Sequence, residues 1–272
     1  MNEEVTTQVV EMTPELAGHL LERNTGNRPL RKAWARHLGD AMKQRQFPLN
    51  GESIIIGADG VIISGQHRLE GCVLSGATFK TVLVEGIANE AFATVDCGKV
   101  RSMGDVLAIM GVDNPTAIAA SLKLVDLIST RSLGKGGSSF GTHRNYEASS
   151  LLDAYPGISA SARVINGFRR PIGIPQACLI AGHYLCLSAA EHHTPVNHFF
   201  RIVCTGEDAE FRSPAFQYRE KVARRYCSGD RLGRYYIMSG MFKAWNLYRK
   251  NKTVKNLVFP TNGDPEKLPL PI

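Results

Sequence analysis

Asp59-Gly60-Val61-Ile62-Ile63-Ser64-Gly65-Gln66-His67-Arg68-Leu69-Glu70-Gly71 (DGVIISGQHRLEG) is the stretch whose reading decides the fold. Asp59-Gly60 is a two-residue turn signal, and Val61 to Ile63 is an apolar run. After Gly65 the pattern becomes helical. A strand that passes through a glycine into a helix start makes an anion site, because the first-turn N–H groups point outward and the helix dipole adds partial positive charge. Gly65 allows close approach of the backbone. Arg68 can fork onto phosphate or carboxylate, and His67 can donate, accept or carry a proton near neutral pH.

Upstream, Val5 to Val10 is rich in β-branched residues and reads as a strand. Thr13-Pro14-Glu15 is a helix start, with Thr as N-cap and Pro in the first turn, and the helix runs to about Glu22. The loop Arg23-Asn24-Thr25-Gly26-Asn27-Arg28-Pro29 gathers two arginines and two asparagines. It reads either as a polar turn or as a phosphate contact through Asn27 and Arg28. Residues 31–46 read as an amphipathic helix with Ala33, Trp34, His37, Leu38 and Ala41 on its apolar face. Ser53 to Ile56 and Val61 to Ile63 form a hairpin across Asp59-Gly60. Leu69 to Ser75 is a helix with Leu69, Val73 and Leu74 inward, stopped by Gly76. Thr78 to Glu85 is a further strand. A second box, Asp96-Cys97-Gly98-Lys99-Val100-Arg101, pairs an acid with basic residues. It reads as a metal–phosphate contact or as a structural ion pair.

These motifs together resemble the ParB/sulfiredoxin-like superfamily, and within it the ParB-N-like proteins of phages and bacterial mobile elements. The resemblance rests on Gly65-Gln66-His67-Arg68-Leu69, the Asn24 to Arg28 segment, Asp59-Gly60, the Asp96 to Arg101 box and Lys243-Ala244-Trp245-Asn246. Ser64 stands where the family's box usually has Asp. The resemblance implies an α+β N-terminal domain that binds phosphate through Asn27, Arg28, Gly65, Gln66, His67, Arg68 and Arg101. It also implies a nucleoside triphosphate with Mg²⁺ as cofactors. Glu70, Asp96 and His67 are the candidate catalytic groups, with Glu22 a further carboxylate. A sulfiredoxin reaction is disfavoured, because that family has Cys where Gln66 stands. A homodimer is one assembly open to such a protein.

Beyond Gly104 the pattern is helical. Helices are expected over 106–110, 116–130, 146–155, 176–190, 195–205, 213–226 and 235–250, several opened by a proline. Residues 133–142 (LGKGGSSFGT) are Gly/Ser-rich and lack the order of a P-loop. The expected division is an α+β domain over 1–100, a helical domain over 101–260 and an extended tail over 261–272.

An apolar content of 43% and a charged content of 21% place the chain among ordinary globular proteins. No run of eighteen apolar residues suggests a membrane span, and the acidic N-terminus is unlike a signal peptide, so a cytoplasmic location is expected. The six cysteines form no CxxC pair and read as buried thiols. His183 reads as a core residue, and His192, His193 and His198 miss the i, i+4 spacing of a helical metal pair. The net charge is +7; residues 201–272 hold 14 Lys and Arg against 7 Asp and Glu, so the excess lies there. Arg224, Arg225, Arg231 and Arg234, interleaved with Tyr226, Tyr235 and Tyr236, suit a nucleic-acid backbone with some stacking.

Three functions are therefore expected of this sequence. The first is a protein that binds nucleotide or DNA phosphate and works with DNA. The second is a Mg²⁺-dependent phosphotransferase or nuclease built on the same turn. The third is a non-catalytic regulator.

Overall fold

The computed structural model describes residues 5–25, 27, 29–88, 90–91, 95, 101–134, 147–258 and 268–272. The chain divides into two compact units, Met1–Lys99 and Val100–Ile272. Each carries its own hydrophobic core.

Among its described residues the first unit holds a four-stranded mixed sheet and three helices. β1 (Thr6–Met12), β4 (Phe79–Ile87), β2 (Ser53–Gly57) and β3 (Ile62–Ser64) lie side by side in that order. β4 pairs antiparallel with β1 and parallel with β2, and β2 pairs antiparallel with β3. The β2–β3 turn is set by Gly60 at φ +80° and by the Asp59 carboxylate, which accepts from Val61 N–H at 3.0 Å. α1 (Pro14–Glu22) starts as its sequence dictates, with Thr13 Oγ1 accepting from Leu16 N–H at 3.2 Å.

α2 (Lys32–Lys43) and α3 (Gln66–Ser75) cross at a pair of glycines. A Cβ on Gly71 would stand 2.7 Å from the Ala35 carbonyl oxygen, and one on Gly39 would stand 2.6 Å from the Gly71 oxygen. Only residues without a side chain allow this approach. The α2 face is consequently rotated from the expected one. Ala35, Leu38, Gly39, Ala41 and Met42 are buried, whereas Ala33 is exposed and Trp34 half-buried. Leu69 and Cys72 are inward apolar side chains of α3, while Val73 and Leu74 face solvent.

The second unit is helical in all its described elements. They are α4 (Met103–Ile109), α5 (Pro115–Ser129), α6 (Ala148–Ala154), α7 (Ile158–Asn166), α8 (Gln176–Ala189), α9 (His193–Thr205), α10 (Pro214–Cys227) and α11 (Arg234–Tyr248). α4 opens with a capping box in which Ser102 N–H donates to Asp105 at 2.7 Å and Asp105 N–H donates to Ser102 Oγ at 3.1 Å. α7 was not expected. Ile158, Ala162 and Ile165 recur at helical spacing and are buried. The Gly/Ser-rich stretch lies outside the described residues from 135 onward. Residues 268–272 dock on α11: Asn246 donates to the Leu270 carbonyl at 2.9 Å and accepts from Ile272 N–H at 3.0 Å, while Trp245 Nε1 donates to the Ile272 carbonyl at 3.2 Å.

No described helix is long and apolar enough to cross a membrane.

Candidate functional site

Two groups of sequence-predicted residues occupy the two units, and each has a distinct geometry. In the first unit, Gly65 is the N-cap of α3 at φ +107°. A Cβ there would collide with the Ile54 side chain, so packing and backbone conformation both require glycine. Arg68 sends Nη2 to the Ser53 carbonyl at 2.7 Å and Nη1 to the Glu52 carbonyl at 3.0 Å. The Glu52 carboxylate stands 3.9 Å away, and the Arg68 side chain is 12% exposed. The guanidinium thus clasps the start of β2.

His67 is buried, and its Nε2 accepts from Arg31 N–H at 3.0 Å. An accepting Nε2 carries no proton, so the ring is held with its hydrogen on Nδ1. Gln66, also buried, accepts from Asn24 Nδ2 at 3.1 Å. Asn27 Nδ2 donates to Asn24 Oδ1 and to the Ile62 carbonyl, both at 2.6 Å. The first turn of α3 is therefore the hub at which the 24–31 loop, β2 and β3 are tied together. Buried amides and imidazoles require such partners, since a buried polar group without one costs about 1–3 kcal/mol.

Glu70 lies half-buried on α3, and Glu22 is exposed at the end of α1, 3.8 Å from His19. Arg28 and Asp96 lie outside the described residues. Arg101 is exposed just ahead of α4 in the second unit. Among the described residues, no three His, Cys, Asp or Glu side chains gather as a metal set. The Arg68 fork and the His67 acceptor already hold backbone groups.

In the second unit the arginines converge on the corner between α10 and α11. Arg224 and Arg225 lie in the last turn of α10, Arg231 in the connection, and Arg234 at the first position of α11. Arg225 Nη1 pairs with Asp230 at 2.9 Å. The Arg231 guanidinium lies over the Tyr226 ring, 5.4 Å from its centroid. α11 begins without a side-chain cap and without an acid in its first turn, so its dipole adds to the arginine charge. The crowding has an electrostatic effect: burial, and next the charge of Arg225, hold the Lys221 ammonium below its ordinary pKa. Tyr218 Oη donates to the Ile237 carbonyl at 3.0 Å and fixes α10 against α11.

The structure adds what the sequence pattern missed. The loop between α7 and α8, Phe168-Arg169-Arg170-Pro171-Ile172-Gly173, meets α10 through Gly173. Gly173, at φ +80°, lies so close to Tyr226 that a Cβ would be 2.8 Å from the tyrosine Cβ. Arg169 is four residues from this contact, hence within about 14 Å of it even if fully extended. Arg169 and Arg170 are exposed. Their Arg-Arg dipeptide was the available signal, but nothing in sequence separation placed it beside α10. Of the three interleaved tyrosines only Tyr226 is exposed, at 43%; Tyr235 and Tyr236 are buried in the core and are not stacking platforms.

No protein-family model, curated protein or solved structure matches this chain.

Proposed function

We propose that this chain binds nucleic-acid phosphate through the arginine corner of its second unit, and that its first unit is a ParB/sulfiredoxin-like domain whose GQHR turn is a structural hub. The observation that carries this reading is the placement of Arg224 and Arg225 in the last turn of α10, Arg231 in the connection and Arg234 at the start of α11, which begins without a side-chain cap. Arginine forks suit phosphate oxygens, and each neutralised phosphate releases counterions. Asp230, the acid in this corner, is engaged by Arg225 and offers little repulsion.

DNA is the expected partner, in keeping with the likeness to proteins of mobile elements. Binding without catalysis is the reading the described geometry favours, because the polar side chains of the GQHR turn hold the protein's own backbone and amides. The test is fluorescence anisotropy with labelled single-stranded and duplex DNA across a salt series. Replacing Arg224, Arg231 and Arg234 with Gln is expected to weaken binding and flatten the salt dependence, by a slope of about 0.7–0.9 per lost phosphate contact. If wild type binds neither DNA, or the triple variant binds with unchanged affinity and slope, the reading fails.

A nucleotide at the GQHR turn is the second reading. It is favoured by the α3 N-terminus, which starts on Gly65 without a side-chain cap or a first-turn acid. Thermal shift with Mg²⁺ and each nucleoside triphosphate separates the two, since a ligand at a hundred times its Kd adds about 2.7 kcal/mol.

A further inference from the structure

The corner between α10 and α11 also contains a cleft. It is lined by Gly173, Pro175, Val222, Tyr226, Leu232 and Ile237, with Asp230 and Arg231 also on its wall, and its volume is about 130 Å³. Organic ligands usually occupy pockets of about 300–1,000 Å³, so this cleft has room for one ring system and not for a whole nucleotide.

We infer that this cleft receives one unstacked base of a single-stranded nucleic acid, laid against Tyr226, while the surrounding arginines hold the flanking phosphates. The inference rests on the nucleic-acid reading above and adds the substrate class.

Four observations support it. The cleft has an apolar floor of Val222, Leu232 and Ile237, which suits the faces of a base. Tyr226 is 43% exposed, in contrast to the buried Tyr235 and Tyr236, so its ring is presented and not consumed by the core. Arg231 lies over that ring at 5.4 Å, and a guanidinium plane stacks on a base as it does on tyrosine. The close seat of Gly173 on Tyr226 ties the loop to the cleft, so the exposed Arg169 and Arg170 lie within about 14 Å of that contact. In a duplex the base is stacked and paired, so it enters this cleft only after unstacking at a cost of a few kcal/mol. The geometry therefore favours single strands.

The experiment measures binding of labelled oligothymidine, an abasic strand of the same length and charge, and a duplex. Wild type is expected to prefer oligothymidine over both others. Base–aromatic stacking is worth about 1–3 kcal/mol, so Tyr226→Ala is expected to weaken oligothymidine binding about 5- to 150-fold. It should leave abasic-strand affinity unchanged, and Tyr226→Phe should retain wild-type affinity. Equal binding of the base-bearing and abasic strands by wild type would overturn the cleft assignment while leaving the phosphate reading intact. An equal loss on all three probes in Tyr226→Ala would also overturn it, by making the tyrosine a support for the arginines. No binding of any probe would overturn the phosphate reading itself.

Discussion

Arg68 ties the first turn of α3 to the start of β2. Its fork was expected to meet a ligand's phosphate, and it meets the Ser53 and Glu52 carbonyls. A sequence shows that a guanidinium is present but not which acceptors the fold brings within its reach, and backbone carbonyls carry no sequence signature. The expected consequence is that Arg68→Ala destabilises the first unit. Hydrogen bonds from a charged group contribute about 1.5–3 kcal/mol each, and the Glu52 end is exposed, so a loss of about 2–3 kcal/mol should appear in urea denaturation. Full stability in Arg68→Ala would mean the clasp is idle.

The thiols give a second residue-scale outcome. Burial pushes the Cys72 thiol up to about 11, with Glu15 adding to it, and burial pushes Cys178 and Cys204 up to about 12. Raised values mean the reactive thiolate is scarce at pH 8 and grows only as the pH climbs toward 11 or 12. Cys227 is exposed. Peptide mapping after alkylation of the native protein at pH 8 is expected to find Cys227 modified and Cys72, Cys178 and Cys204 protected. Modification of the three buried thiols at the rate of Cys227 would contradict the packing described.

Among the elements, the α2–α3 crossing is the most demanding. Gly71 closes the same motif that Gly65 opens, and its role is close packing. Gly71→Ala would set a methyl 2.7 Å from the Ala35 oxygen and 3.0 Å from Gly39 N, both backbone atoms that cannot swing aside. Overpacking costs about 1–3 kcal/mol against a helix-propensity gain of up to about 1, so a net loss of about 1–2 kcal/mol is expected in thermal unfolding. Gly18→Ala in α1 is the control: nothing lies within 4 Å of its Cβ position, so it should hold or raise the Tm.

Helix starts were the legible part of this level. Thr13-Pro14, Asn114-Pro115 and Ser213-Pro214 each begin a helix where the caps and prolines indicate. Faces were less legible. In α2 a glycine that reads as neutral is what brings α3 near, so the crossing and not hydrophobicity sets which side is inward. α7, which follows α6 within a few residues, was missed altogether.

At the scale of the molecule, four of the 14 Lys and Arg residues of 201–272 lie at the α10–α11 corner, and Gly173 of the 168–173 loop packs on Tyr226 there. The Lys243 to Asn246 segment also acquires a task, since Trp245 and Asn246 hold residues 270–272. Both depend on contacts between segments far apart in the chain, which neither periodicity nor composition encodes.

The strand order carries a kinetic consequence. β4 is an inner strand of the sheet, flanked by β1 and β2, yet it is the last of the four in the chain. Thr6 pairs with Glu85 and Met12 with Phe79, so β1 has no partner in this sheet until residues 79–87 arrive. Closing so long a loop consumes chain entropy before any pairing rewards it, and topologies of this kind fold slowly. β2 and β3 pair as a local hairpin, but β1 joins the sheet only with β4, and until β4 is in place the β1 segment, with Val9 among its side chains, is open to pairing with a neighbour.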